Sequence, residues 1–289
     1  MLDYRLDTFL TVCEVMNYRE TAEILHITQP AVTQHIQFLE KEYGCKLFTY
    51  KNRKLEKTHS ARILEEYVRS MKYNERTLKN ELLSEESQEY KIGTTKTIGD
   101  YVIGDYVKDF LKREKHSLTL IVDNTEHLLQ LLVENKIDFA LVEGYFDKRK
   151  YDYHLFRQEP FVGICHKNHP FAGKTVPISE VLKETLICRE EGSGTRAIME
   201  QKLLDYNESM SHFSEVICIS SFKMILELVR EGFGISFAYD VIAESDEEIS
   251  RFYLPGESIL REFNFVYLKN TNANKKIDTF INLKENAHE

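Results

Sequence analysis

Between Tyr18 and Gly44 the chain reads YRETAEILHITQPAVTQHIQFLEKEYG, two helical periodicities that meet out of phase at His26-Ile27-Thr28-Gln29-Pro30. Asn17 can cap the first helix, with Glu20 three residues on in the capping-box position. Ala22, Leu25 and Ile27 give that helix an inner face, and Ala22 is small where a second helix would have to cross closely. Thr28 is a good N-cap, and proline is tolerated in a first turn, where its missing N–H is not needed. The second helix shows Val32, Ile36, Leu39 and Tyr43 at helical spacing, and Gly44 ends it as the residue after the C-cap.

Two short helices around a tight turn bury little alone. Leu2, Leu6, Phe9, Leu10, Cys13 and Met16 supply a preceding helix as the third wall. The outer face of the second helix keeps Gln29, Thr33, Gln34, His35 and Gln37, uncharged hydrogen-bonding groups suited to base edges. The spacing therefore predicts a helix-turn-helix whose second helix enters a major groove; a plain three-helix bundle with a polar face is the blander alternative.

Charge bears on this reading. The chain of 289 residues carries a net −9, which argues against coating nucleic acid by bulk charge. Residues 1–58 are balanced, with eight basic and eight acidic side chains. Inside that segment Lys46, Lys51, Arg53, Lys54 and Lys57 face only Glu56, a local excess suited to phosphates.

The segment resembles the N-terminal winged helix of the LysR-type transcriptional regulators, whose core pattern is A-x-x-L-x-x-[ST]-Q-[PS]-A-[VL]-[ST]-x-x-I-x-x-L-E-x-x-x-G-x-x-L-F. Here it falls on Ala22, Leu25, Thr28, Gln29, Pro30, Ala31, Val32, Thr33, Ile36, Leu39, Glu40, Gly44, Leu47 and Phe48. One departure is Thr58-His59-Ser60-Ala61 where the family has Thr-Pro-Ala-Gly; Thr58 can still cap. The resemblance implies that Gln29, Pro30, Thr33 and Gln34 lie at bases or adjacent phosphates, and that Arg53 in the wing reaches the backbone or minor groove. It also implies double-stranded DNA, a second copy of the chain in a homodimer or homotetramer, and RNA polymerase as partners.

After the wing, no Gly or Pro occurs from Ser60 to about Glu86. Leu64, Val68, Met71, Glu75, Leu78 and Leu82 alternate steps of four and three, a heptad seam with one charged slot. A dimerising linker helix over 59–88 is expected, and with it two-fold related half-sites in the DNA.

From residue 89 strands and helices alternate, which implies α/β units with mainly parallel sheets. A short apolar strand ends at Ile92, before Thr94-Thr95-Lys96-Thr97 opens a helix, and LTLIVDN, IDFALVEG, FVGICH, TLICRE, EVICI and GISFAY read as strands. One helix is expected through Ile98, Val102, Tyr106 and Phe110. The stretch resembles the two-lobed, periplasmic-binding-protein-like (type 2) effector domain of the same family, with lobe crossings near Pro160 and Arg261. The expected organisation is an all-α/winged N-terminal domain (1–58), the linker (59–88), and an α/β effector domain (89–289), with lobe I at 89–160 and 262–289 and lobe II at 161–261.

Three helix starts are rich in hydroxyls: Thr95-Lys96-Thr97, Gly192-Ser193-Gly194-Thr195-Arg196 and Ser220-Ser221. Such starts offer free N–H groups and a positive dipole end, and in open α/β sheets they meet at the crevice by the strand ends. Arg196 adds a fork for a carboxylate or oxyanion. A small anionic effector is expected there, with no cofactor and no catalytic residues. Each turn alone reads equally as an ordinary N-cap; the two glycines around Ser193 favour close approach to a bound group. Phe222 fits an apolar wall of the crevice or the core, and Lys96 an anion site or solvent.

Several motifs fail on inspection. NHPFAGKT would put the first P-loop glycine at Asn168, with Pro170 breaking the loop. Gly232 and Gly234 form a lone GxG after a helix. Cys165, His166 and His169 crowd behind a strand with no fourth ligand, so no metal is expected. Ser193 lacks nucleophile-elbow spacing. The five cysteines are dispersed without a CxxC, which suggests reduced thiols and leaves a redox role open. With no apolar run of membrane-spanning length and acids where a secretory signal would be basic, a cytoplasmic protein is expected. Two rivals stand beside a DNA-binding regulator: an enzyme or solute carrier with an accessory N-terminal domain, and an effector-independent DNA-binding protein with a vestigial pocket.

Overall fold

A computed structural model describes residues 2–83, 88–112, 116–244, 246–256 and 259–281. Residues 84–87 of the expected linker (59–88) and the last stretch of lobe I, 282–289, lie outside these residues, and Gln88 already belongs to a strand.

The head begins with α1 (Arg5–Val15), α2 (Tyr18–Ile24) and α3 (Gln29–Glu42). Asn17 caps α2, its side chain accepting from the N–H groups of Arg19 and Glu20. His26 takes a left-handed conformation (φ 55°) and the Ile27 N–H returns to Ala22 O at 3.0 Å, closing α2 with a Schellman turn. Two residues later Thr28 Oγ1 accepts the Ala31 N–H and α3 starts in its new direction. At its far end Gly44 (φ 65°) and the Cys45 N–H on Glu40 O (3.1 Å) repeat the same closure. Leu6, Phe9, Leu10, Cys13, Ala22, Val32, Ile36 and Leu39 form one buried cluster. Tyr43 does not join it: it is 47% exposed, because it is the C-cap and points past the last turn.

The wing is an antiparallel ribbon, β1 (Phe48–Lys51) and β2 (Lys54–Lys57). Thr58 then caps α4 (His59–Leu83), accepting from the Ala61 N–H at 3.1 Å, so the cap survives without the Pro and Gly of the family pattern. The phase of α4 corrects the expected seam. Val68 is buried and Leu64 packs in the head core, since the first half of the helix must close that core. The free apolar stripe runs one residue earlier there, through Ile63, Tyr67 and Met71, and continues at Leu78 and Leu82.

The other side of α4 is fastened within the chain. Buried Arg69 donates to Glu14 of α1 (3.2 Å), to Glu65 of α4 (2.9 Å) and to Val133 O (2.9 Å). Further along, Arg76 Nη2 meets Asp138 at 3.1 Å and Ser70 Oγ donates to Lys269 O at 2.6 Å.

The rest of the chain runs β3 (Gln88–Thr94), α5 (Lys96–Tyr101), α6 (Gly104–Leu111), β4 (His116–Val122), α7 (Thr125–Val133), β5 (Phe139–Glu143) and β6 (Tyr151–His166). It continues with α8 (Ile178–Val181), β7 (Thr185–Cys188), α9 (Gly194–Asp205), β8 (Glu215–Cys218), α10 (Phe222–Arg230), β9 (Ser236–Tyr239), α11 (Asp240–Glu244), β10 (Ile249–Phe252), β11 (Ile259–Leu268) and α12 (Ala273–Ile281). The helix expected from Ile98 to Phe110 is two, α5 and α6, parted at Val102-Ile103.

Sheets are mixed rather than mainly parallel. β3 pairs β4 and β5 in parallel, as β7 does β8, whereas β11 pairs β5 and β6 antiparallel, and β6 also takes β9 and β10 antiparallel. The reason is the lobe crossing. β6 is one strand of 16 residues that pairs with β11 from Tyr151 to Phe161 and with β9 and β10 from Phe161 to His166. A two-lobed chain that crosses and returns does so on antiparallel strands.

Candidate DNA-reading head and ligand cleft

On α3, Gln29, Pro30, Gln34 and Gln37 are exposed and Thr33 is half-buried, its hydroxyl donating back to Gln29 O at 3.1 Å. The side chains at the helix N-terminus are therefore open to a groove, while the first turn offers few N–H groups, since Pro30 has none and Thr28 takes that of Ala31. His35 is turned inward instead. Its Nδ1 lies 2.9 Å from Thr8 Oγ1 and its ring stands edge-on to Tyr4. Burial, then the Arg5 charge, holds its pKa below the usual value. The inward turn was not visible in the helical spacing, because Thr8 and Tyr4 belong to α1.

The wing tip is a two-residue turn with Asn52 at φ 50° and Arg53 at φ 63°. Both central residues left-handed make a type I′ hairpin, whose second position glycine fills most easily. An arginine there costs roughly 1 kcal/mol of backbone strain, which fits a side chain kept for contact rather than for the turn. Glu40 ties reading helix to wing, accepting the Leu47 N–H at 2.9 Å and Lys46 Nζ at 2.7 Å.

Between the lobes lies a cleft of about 680 Å³ at the C-terminal ends of β3, β4, β5 and β7. Thr95, Lys96, Ser193, Gly194 and Arg196 line it. Other expected residues stand behind it. Thr97 is buried and donates to Glu143 Oε1 at 2.8 Å; Thr195 is buried in α9; Ser221 caps α10 through the Met224 N–H. Phe222 is buried with the Arg189 guanidinium 4.8 Å from its ring centre, so it props a lining residue. Sequence reasoning missed Glu143, Arg189, Asp123 and Tyr145, all in the lining.

Glu143 sits at the cleft floor. Burial pushes its carboxyl up to about 7, an effect eased by the Thr97 hydroxyl and by the Arg189 charge. Oε2 has no well-formed hydrogen bond, although the Thr95 hydroxyl beside it also eases the burden. The folded chain therefore holds a proton between pH 4.5 and about 7 that the unfolded chain has released, and stability falls as pH rises through that window. Glu143→Gln should be more stable than the parent at pH 8, by up to about 3 kcal/mol, and equal to it near pH 4.5. Thermal melts of both proteins at the two pH values measure this, and a gap independent of pH would contradict it.

The free cysteines are mostly buried, which pushes the thiol of Cys165 up to about 12 and that of Cys188 to about 11. Among the described residues no group of three or more His, Cys, Asp or Glu could hold a metal, and no helix is long and apolar enough to cross a membrane.

A capped helix-turn-helix with a wing, a long helix and a two-lobed cleft domain define an architecture, and comparison with known proteins decides its kinship. Residues 4–62 match the family described as bacterial regulatory helix-turn-helix protein, lysR family, and residues 84–287 match the LysR substrate binding domain. The chain belongs to the LysR family of transcriptional regulators. It is a DNA-binding regulator with an effector-binding domain, not an enzyme.

Among LysR relatives, CysL of Bacillus subtilis is 26% identical over 292 residues, covering 98% of this chain and 97% of that one. In structure, full-length OxyR from Pseudomonas aeruginosa superposes with a TM-score of 0.62 at 17% identity, covering 98% of this chain and 94% of that one. The CcmR regulatory domain of Synechocystis PCC6803, in complex with 2-PG, gives 0.59 at 22% identity, covering 69% of this chain and 98% of that one. At these identities the structural likeness shows the shared fold.

Proposed function

We propose that this LysR-family chain works as a homodimer whose two α3 helices read two-fold related half-sites, under control of a small molecule in the interlobe cleft. The observation that carries the reading half is the exposure of Gln29, Pro30 and Gln34 at a Thr28-capped helix start, with Arg53 on the wing beside it. Gln29 and Gln34 would meet base edges and Thr33 an adjacent phosphate, while Arg53 would reach backbone or minor groove. Pairing rests on the free stripe of α4, which over Ile63 to Leu82 is about 28 Å long at 1.5 Å per residue. The protein acts on DNA in the cytoplasm, and RNA polymerase is the partner through which a bound regulator changes transcription.

For the effector, the best-supplied docking point is the start of α9. Ser193 makes no side-chain cap, so the first-turn N–H groups are open to a carboxylate or oxyanion, with Arg196 alongside. Ligand that binds one lobe arrangement better than another shifts the population toward it. The shift reaches the heads through the fastened side of α4, where Arg69 joins α1, α4 and the end of α7.

Selection of duplexes from a random pool by the intact protein tests the proposal. The expected product is a two-fold related motif with half-sites about one or two helical turns apart. Enrichment of nothing above background, or of a single unpaired motif, would contradict it.

A further inference from the structure

The charge of the cleft does not suit a plain anion. Six acids line it, Asp123, Glu126, Glu143, Glu190, Glu191 and Glu200, against three cations, Lys96, Arg189 and Arg196. Two of the cations are already engaged. Arg189 makes two bonds to Glu190, at 2.7 and 2.9 Å, and Arg196 meets Glu200 at 2.8 Å. A ligand carrying only negative charge would enter a lining with a formal surplus of three acids over cations.

The polar geometry shows what is wanted instead. At one wall the first turn of α9 presents N–H donors with no side-chain cap competing for them. In the same lining, the Glu143 side chain is more than nine-tenths buried and keeps Oε2 without a well-formed partner. A buried carboxylate oxygen left so costs free energy that a ligand donor would recover. The two segments are close together: a Cβ on Gly194 would stand 4.0 Å from the Glu143 carbonyl oxygen. An acceptor and donors in the lining of one cleft, on segments whose backbones nearly touch, match a molecule that carries both an ammonium and a carboxylate.

We propose that the effector is an α-amino acid or close derivative, its carboxylate on the first turn of α9 and its ammonium on Glu143. This rests on the cleft being the effector site. The ammonium supplies a donor to the unbonded Glu143 Oε2, and the net zero charge of the ligand suits the acidic lining. Glu143 thereby sets specificity: it favours molecules that bring a positive donor and disfavours the same carbon skeleton without one.

The test uses the full-length protein with a panel of α-amino acids, their deaminated carboxylates, the matching α-hydroxy acids and inorganic phosphate, read by thermal shift and titration calorimetry. At least one amino acid should bind, with its deaminated and hydroxy counterparts at least 100-fold weaker. Glu143→Gln should shrink that preference to roughly tenfold or less, by weakening the amino acid without weakening the carboxylate-only compounds. If a deaminated acid, a hydroxy acid or phosphate binds as tightly as any amino acid, the inference falls and the cleft remains the effector site. If no compound in the panel binds, the cleft assignment falls with it.

Discussion

Aspartate in place of both Leu78 and Leu82 should yield a folded, monomeric protein whose affinity for a two-half-site operator is about 100-fold or more below that of the parent. The two leucines are 53% and 73% exposed in the single chain, so their replacement leaves no cavity and removes little contact within it. What changes is the surface on which a second α4 would lie. Four carboxylates brought to one dimer seam repel, and the desolvation each would suffer exceeds anything an apolar neighbour returns. Avidity makes the effect on DNA large: with two heads joined, the second half-site binds as an intramolecular step, worth 10²–10⁴ in overall affinity. Affinity for an isolated half-site should stay the same. Sedimentation equilibrium and fluorescence anisotropy on whole and half operators read the two effects. A variant that remains dimeric with parental operator affinity would remove α4 from the interface.

A second large effect is expected from a single methyl group. Gly163 lies on β6 directly opposite Phe252 of β10, and a Cβ built there would come within 2.3–2.5 Å of the Phe252 ring. The ring cannot retreat, because it is fully buried and held by Phe171 and Phe237, each at 5.5 Å between ring centres. Glycine here is the space in which the aromatic ring lies. Gly163→Ala should cost about 3 kcal/mol, the upper end for overpacking, and lower the Tm of the effector domain by about 6–10 °C. Melting within a degree or so of the parent would mean that β10 pairs elsewhere. The head, more than a lobe away in the chain, should keep its half-site affinity.

How much of this could be read from the chain follows the range of the signals. The reading head was legible because each decisive residue acts within one turn: Asn17, Thr28 and Gly44 cap, and Pro30 is pre-set for the helix start. His35 was misread as outward because the group that turns it, Thr8, is 27 residues away. The linker seam had the right period and, in its first half, the wrong phase. Period belongs to the helix alone, whereas the face it buries is chosen by the head core that takes Leu64 and Val68. In the effector domain the pairs lost to sequence reasoning were the antiparallel ones, β6 with β9, β10 and β11 and β11 with β5, and β11 reaches back about a hundred residues to β6. Glu143 escaped notice for a related cause. It closes the apolar run FALVE as any strand-ending acid might, and only the fold places it under α9. The glycines around Ser193 did point to the cleft, since they bear on backbone approach, a local property.

The most direct test of α3 as the reading helix is competition anisotropy with the intact protein, its selected operator and single-base variants of that operator. Gln29→Ala should lose about 1–3 kcal/mol of discrimination at one position of each half-site and little elsewhere. Arg53→Ala should instead weaken binding to every variant about equally and reduce the salt slope by about one per head. If both proteins matched the parent in affinity and base preference, the duplex would lie against some other face of the head.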